Sequence, residues 1–440
     1  MILVFTDRPT PRIEYTVRLI FHDILGSEVM ITTDREEYLK SDLPGICYAT
    51  APLDRGLYMG AHPLLTTTTR VMPALEPVSW KGETGFFPAP EGSFMPFDPF
   101  ASSFLTVTRL EEYAPGPRDQ HGRFRATDSF LHQFDLLEKA VVNRWARLVA
   151  TALEENHGTP LFPPPSFCCL TTIDIDNAWA FRHKGFLRTA GALLRKIFTG
   201  KWKDALRHFL VVCCKKEDPY DTYAYISSLY SDKNNGLRFF FLLGDRAPYD
   251  KQVSWRHQKL WKLVRETADD FPVGIHPSYV AGNEAQATRT LTEKQRLEKI
   301  LGRQVPDSRQ HFLLLKFPGT YRKLLEAGIT TDYTMGYSDR VGFRAGTATP
   351  FSFYDLEKEE TTPLRIFPFQ VMDGTLRQYM KMTPRDAITK ISALRDEVRT
   401  TGGIFCTIWH NESLNDLGYW RGYRVVFERL NREGSWDAQG

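Results

Sequence analysis

Two aspartates stand at alternate positions at the end of an apolar run, PSFCCLTTIDIDNAW at 165–179. Three histidines sit in or beside similar runs: His276 in VGIHPSY, His311 in SRQHFLLL and His410 in CTIWHNES. In a strand alternate residues share a face, so Asp174 and Asp176 lie side by side. They repel unless a cation, a shared proton or a hydrogen-bonding partner offsets the cost. Two imidazoles and a carboxylate are a common facial set for a divalent catalytic metal, leaving positions open for water and substrate. A second Asp beside such a metal can take a proton from water, and a further His can protonate a leaving group. Metal-assisted hydrolysis of an amide or ester is the chemistry these types allow. Any one of the histidines, taken alone, reads more readily as a satisfied buried or surface residue; three at strand ends with the Asp pair change that weighing.

The elements that must position them alternate. Beyond about residue 160, strand-like runs occur at PSFCCLTTIDID, LRFFFLLGD, PVGIHPSY, VPDSRQHFLLL, ITTDYTMGY, LRIFPFQVMDGTL and GIFCTIWHN. Amphipathic helical stretches such as SWRHQKLWKLVRETADD and TPRDAITKISALRDEVRTTG separate most of them, which predicts parallel strands with crossover helices. Polar residues fall near the carboxyl ends of these runs: Asp174 and Asp176, Asp245, His276, Arg309 and His311, Asp373, and His410. In a barrel such ends converge on one mouth, whereas in an open sheet only strands near the switch point meet. The expectation is therefore an α/β fold, a distorted (β/α) barrel of about seven strands over 161–440, preceded by a smaller α+β domain over 1–160. In that first region DSFLHQFDLLEKAVVNRWARLVATALEE reads as one helix, and ENHGTPLFPPPS as a linker because consecutive prolines continue neither helix nor sheet.

Composition narrows the functional classes. With 440 residues, 42% hydrophobic, the chain can bury more than one core, and only the polar tail NREGSWDAQG is expected to lack structure. The net charge of +3 comes with no long basic stripe, so no nucleic-acid partner is expected. TGKWKDALRHF is locally basic with aromatics interleaved, and reads first as the solvated face of a helix. No window reaches the roughly 18 apolar residues that span a bilayer, and MILVFTDR lacks the form of a signal peptide, so a cytoplasmic location is expected. Six cysteines occur with no C-x-x-C spacing, which argues against a thiolate zinc site.

From about residue 165 to 430 the chain resembles the polysaccharide deacetylases, carbohydrate esterase family 4, whose fold is a distorted (β/α) barrel with a metal-dependent N-deacetylase site. TIDID at 172–176 resembles the family's T-F-D-D motif, which implies Asp174 as base and Asp176 as metal ligand; the extra Ile175 leaves an exchange of these roles open. VGIHPSY resembles the start of H-S/T-x-x-x-H, with Val280 where the second histidine is expected. SRQHF falls where R-x-P-Y is expected, implying that Arg309 orients the base, and His311 is inferred to replace the missing ligand. TIWH resembles the closing L-x-H motif and implies His410 as the acid.

DRVGFRAGTATPFSFYDL reads as a shaped loop in which Arg344 binds substrate or pairs with a carboxylate such as Asp339. Asp221 in DPYDTY and Trp409 beside the acid are further substrate-binding candidates, although Asp218 and Asp221 also read as turn formers. The N-terminal region resembles an extra domain that precedes some bacterial deacetylase-like proteins. Together these imply a hydrolase that uses a divalent metal, zinc by expectation, to remove acetyl groups from an N-acetylated sugar or polysaccharide precursor. The competing readings are an inactive glycan-binding protein on the same barrel and a hydrolase of a non-sugar amide.

Overall fold

The computed structural model describes residues 1–230, 236–285 and 287–432; most of the polar tail, residues 433–440, lies outside the described residues. The chain begins with β1 (Ile2–Phe5), β2 (Val29–Thr32), β3 (Gly45–Ala49) and β4 (Leu57–Gly60), which form a parallel sheet in the order β2-β1-β3-β4. β1 and β3 are buried along their whole length, which is why ILVF and GICYA lack polar alternation. A hairpin of β5 (Pro77–Trp80) and β6 (Glu83–Phe86) follows. The single helix expected near 128–155 is instead a short turn, Phe130–Gln133, and a helix, Val141–His157. Asp135 adopts a left-handed φ of 55°, and the Leu137 carbonyl accepts a hydrogen bond from Phe343 N at 2.8 Å rather than from the next helical turn.

Among the described residues the second sheet has nine strands rather than about seven: β7 (Phe167–Ile175), β8 (Leu237–Phe241), β9 (Val273–Ile275), β10 (Asp307–Ser308), β11 (Thr331–Asp332), β12 (Phe351–Asp355), β13 (Glu360–Ile366), β14 (Val371–Met372) and β15 (Gly403–His410). Their order is β12-β13-β11-β10-β9-β8-β7-β15-β14, with β12 antiparallel to β13 and the other pairs parallel. The sheet curls as a half-barrel with β12 and β14 as its edges. Part of the stretch expected as a loop is strand β12, because Phe351, Phe353 and Tyr354 are buried, and Phe351 and Tyr354 pair with Ile366 and Thr361 of β13 on either side of a register shift at Phe353.

β7 lies between β8 and β15, in a register that sets Asp174 opposite both Phe240 and His410. Close approach of β8 and β9 requires Gly274: a β-carbon there would stand 2.6 Å from the Phe240 ring and 2.8 Å from the Asp307 carbonyl. The helix Pro384–Thr401 is started by Pro384 and the Thr383 side chain, which accepts from Asp386 N, and it leads directly into β15.

The two parts of the chain share one continuous hydrophobic core. Val142 N donates to Gly346 O at 2.9 Å, and Tyr15 Oη donates to Ser352 O at 2.9 Å. The expected linker is pinned down as well. Leu161 N and Phe162 N both donate to Glu154 Oε1, and the Phe162 ring stacks on Phe21. Cys213 and Cys214 are exposed at a helix end.

Candidate metal centre

β7 ends at Ile175, so Asp174 stands inside the strand and Asp176 just past it. Both line one pocket of about 220 Å³, which His276, His311 and His410 also line. Asp174 is buried, while about a quarter of the Asp176 side chain remains exposed. His276 Nε2 lies 3.2 Å from Asp176 Oδ1 and 3.9 Å from Asp174 Oδ2. His311 Nε2 lies 3.4 Å from Asp176 Oδ2. One donor atom from each of Asp176, His276 and His311 fits within 4.8 Å of the others.

The far side of each ring explains why the Nε2 atoms converge. His276 Nδ1–H donates to the Arg309 carbonyl at 2.6 Å, and a carbonyl can only accept. His311 Nδ1 lies 3.0 Å from Asp250 Oδ1. With Nδ1 carrying the proton in both rings, the Nε2 lone pairs point at Asp176; holding the far nitrogen in this way is how proteins orient metal-binding imidazoles. Asp250 is itself fixed, accepting from Tyr279 N at 2.9 Å and Val280 N at 3.3 Å. Val280, four residues after His276, thus contributes its backbone to the partner of His311.

Arg309 is fully buried, with Nη1 3.7 Å from Asp174 Oδ1 and its guanidinium 5.0 Å from the Phe240 ring centre and 5.6 Å from that of Phe369. His410 Nδ1 lies 2.8 Å from Asp373 Oδ1, and Asp373 Oδ2 accepts from His410 N at 2.8 Å. His410 Nε2 faces Asp176 Oδ2 at 3.9 Å.

The electrostatics follow from these contacts. Burial disfavours charge on His311, but Asp176 and then Asp250 outweigh it and raise the ring to about 9. Burial is likewise overcome at His410, where Asp373 lifts the imidazole well above its ordinary value. At Asp176 burial is overridden chiefly by the neighbouring charge of His311, which holds it well below the usual carboxylate range. The cluster is a place where positive charge is stabilised. Asp176 Oδ1 and Asp174 Oδ1 are buried oxygens without a hydrogen-bond partner, and the surrounding donors are two imidazole nitrogens and a carboxylate. That set fits a divalent ion of the zinc kind.

The three residues expected to bind substrate lie elsewhere. Arg344 is buried away from the pocket and is held by Glu112, with Nε to Oε1 at 2.9 Å, and by the Gly336 carbonyl, so its partner is Glu112 and not Asp339. Trp409 points to the other side of β15 from His410, packs its ring on Phe427 and is fully buried. Asp221 is exposed and borders a separate surface depression with Arg207 and Arg424. Its neighbour Asp218 caps the turn at 180–182 by accepting from three backbone N–H groups. Asp245, placed by sequence at a strand end, points outward and pairs with Arg296 at 2.8 Å.

Sequence reasoning missed Asp250, which looks like any turn aspartate in APYDKQ, and left Asp373 without a role. It also missed Glu412, which lines the pocket and is raised by burial, and Arg123 from the N-terminal region. Arg123 reaches the mouth and donates to Phe312 O and Tyr379 Oη, each at 2.9 Å.

Residues 2–158 match a family described as "Family of unknown function (DUF7033)". No curated protein matches the chain. Among solved structures, it is similar to a candidate polysaccharide deacetylase from Mycobacterium smegmatis, at 15% identity and a TM-score of 0.40 over 62% of this chain and 86% of that one. A polysaccharide deacetylase from Bacillus cereus matches at 10% identity and a TM-score of 0.30, over 61% of this chain and 88% of that one. A mutant of a CE4 family pseudoenzyme with restored enzymatic activity matches at 11% identity and a TM-score of 0.24, over 62% and 65%. At such identities and scores the chemistry of the site rests on its own geometry.

Proposed function

We propose that the chain is a metal-dependent hydrolase that removes acetyl groups from an N-acetylated sugar or polysaccharide precursor. The observation that carries this reading is the convergence of Asp176, His276 and His311 within 4.8 Å, beside an Asp174–Arg309 pair and an Asp373–His410 pair. The order of the motifs TIDID, VGIH, SRQH and TIWH along the chain supports the same reading.

Asp176, His276 and His311 would hold the ion, which supplies Lewis acidity that polarises a carbonyl and acidifies water. Asp174 is the base. Its Oδ1 has no hydrogen-bond partner and lies 3.7 Å from Arg309 Nη1, free to take the proton of the attacking water. His410 is the acid: Asp373 favours its charged form, so it can pass a proton to the departing amine nitrogen as the amide C–N bond breaks and acetate forms. Phe312, Tyr379 and Trp420 line the pocket with Arg123 and Gln378, a mixture of flat apolar faces and polar groups that suits a sugar ring.

The test is metal content and acetate release from N-acetylglucosamine oligomers, for the wild type and an Asp176→Ala, His276→Ala variant. Zinc and acetate release are expected in the wild type and neither in the variant. Equal metal in both overturns the site. Metal-bound wild type that cleaves only non-sugar amides overturns the substrate class, and metal-independent glycan binding without release would favour an inactive binding protein.

A further inference from the structure

Two helices follow β7, Phe186–Phe198 and Trp202–Val212, and they pack against each other as a hairpin with Thr199, Gly200 and Lys201 at its tip. Their apolar residues face outward to an unusual degree. Phe186, Leu187 and Phe198 are each 85% exposed, Trp202 63% and Leu206 59%. On a helical wheel Phe186, Leu187, Leu194 and Phe198 share one side of the first helix, and Trp202, Leu206 and Phe209 one side of the second. None of these side chains joins the continuous core.

The charge around them is just as one-sided. Residues 186–216 carry eight Lys or Arg against a single acid, Asp204, so the rest of the chain is net negative although the whole is +3. Among the described residues no carboxylate lies within ion-pair distance of Arg195, Lys201 or Lys203. At the foot of the hairpin a groove of about 1150 Å³ is lined by Lys184, Arg188 and Arg246 together with Trp255. Burial, and then the Arg188 charge, push Lys184 down to about 8, and burial followed by the Arg246 charge lowers Arg188 in turn. These cations repel one another, and the acid that lines the groove with them, Asp245, is paired with Arg296.

We propose that residues 186–212 are a membrane-docking hairpin that sinks its Phe198–Trp202 tip into the interface of a bilayer carrying anionic lipid. An exposed apolar face flanked by Lys and Arg is the form that binds such surfaces, with aromatic rings at headgroup level and cations against lipid phosphate. The cationic groove gives headgroup phosphates a second place to bind.

The full chain is sedimented with vesicles of phosphatidylcholine alone and of phosphatidylcholine with phosphatidylglycerol, at low and high salt. Binding is expected on the anionic vesicles and weakens with salt. Phe198→Ser with Trp202→Ser, and separately Lys201→Glu with Lys203→Glu, are each expected to weaken it roughly tenfold or more, with circular dichroism unchanged. The proposal is overturned if neither vesicle binds the wild type, or if both variants bind as it does. It is also overturned if the protein is a dimer in solution that the Phe198/Trp202 variant dissociates, since the face then belongs to a second copy. Retention on RNA without vesicle binding overturns it too.

Discussion

Asp250 makes the most discriminating target, because it touches no substrate position and yet decides where His311 points. Its carboxylate is fully buried, holds His311 Nδ1 at 3.0 Å and accepts two backbone N–H groups, from Tyr279 and Val280. Asp250→Asn keeps the shape and removes the charge. The amide has one acceptor and one donor end, while all three neighbours are donors as long as His311 carries its proton on Nδ1. If the amide oxygen stays on His311 and Tyr279, the NH2 group meets Val280 N–H and leaves it unsatisfied, at a cost of about 1–3 kcal/mol in stability. If the amide turns round, its NH2 faces Nδ1, the proton moves to Nε2, and the lone pair that should meet a metal is lost.

Either way His311 becomes a poorer ligand. Loss of an outer partner of this kind lowers metal affinity about 10- to 100-fold, or about 1.4–2.7 kcal/mol. The assay is competition of the variant and the wild type against a zinc-binding dye, with urea denaturation of the metal-free forms as the measure of fold. The expected result is weaker zinc binding and a modest loss of stability. Wild-type zinc affinity in a variant destabilised as expected would refute the reasoning, because His311 would then owe nothing to Asp250 as a ligand.

Other expectations separate the roles of neighbouring groups. Asp174→Asn is expected to lower kcat by about 10²- to 10⁴-fold with zinc content unchanged; loss of zinc instead would exchange its role with that of Asp176. Arg344→Ala, which leaves the buried Glu112 with Arg109 as its remaining ion partner, is expected to cost about 1–3 kcal/mol in denaturation experiments and to leave KM of the folded fraction alone, whereas a raised KM at full stability would return Arg344 to the substrate. Burial raises Glu293 from 4.5 to about 7, against the two hydrogen bonds it accepts from Ser278, so the folded state binds its proton more tightly than the unfolded state. Its contribution is therefore fully present below about pH 4.5 and is lost as pH rises through 7, by up to about 3 kcal/mol. Glu293→Gln is expected to flatten the fall in stability between pH 5 and 7.5, and an unchanged slope would assign that fall to other groups.

What was legible in the sequence was whatever a strand period or a motif could carry. β7, β8, β9 and β15 were readable because buried parallel strands are short apolar runs, and Asp174, Asp176, His276 and His410 stand where those runs end. β10 and β11 fall inside the runs VPDSRQHFLLL and ITTDYTMGY, although only two residues of each pair as strand; LRIFPFQVMDGTL, taken as one strand, holds the end of β13 and all of β14, and β12 was hidden in a stretch whose glycines read as loop. Arg344 misled for a similar reason. An arginine in a Gly-rich segment looks available, and its carboxylate, Glu112, is 232 positions away in the chain. Asp250 and Arg123 were out of reach because they lie in irregular segments whose direction only the tertiary fold sets. Trp409 shows the opposite: period two, applied strictly, already sends it to the far face from His410.

The alternate spacing of the two aspartates has a physical consequence. Two residues along a strand advance the chain by about 6.6 Å, so Asp174 and Asp176 serve different depths of one pocket. Asp174 shares the level of Arg309, a buried layer walled by Phe240 and Phe369, where a charge pair is little screened. Asp176 stands past the strand end, partly open, at the level of the loop-borne His311. His276 spans the two layers, 3.9 Å from one carboxylate and 3.2 Å from the other. With adjacent aspartates the side chains would leave the strand on opposite faces, and one would have to be turned back by a bend. Ile175, buried on the opposite face, lets both carboxylates face the pocket from a regular strand end, so their mutual repulsion can be relieved from two directions: by Arg309 below and by a cation at the candidate site above.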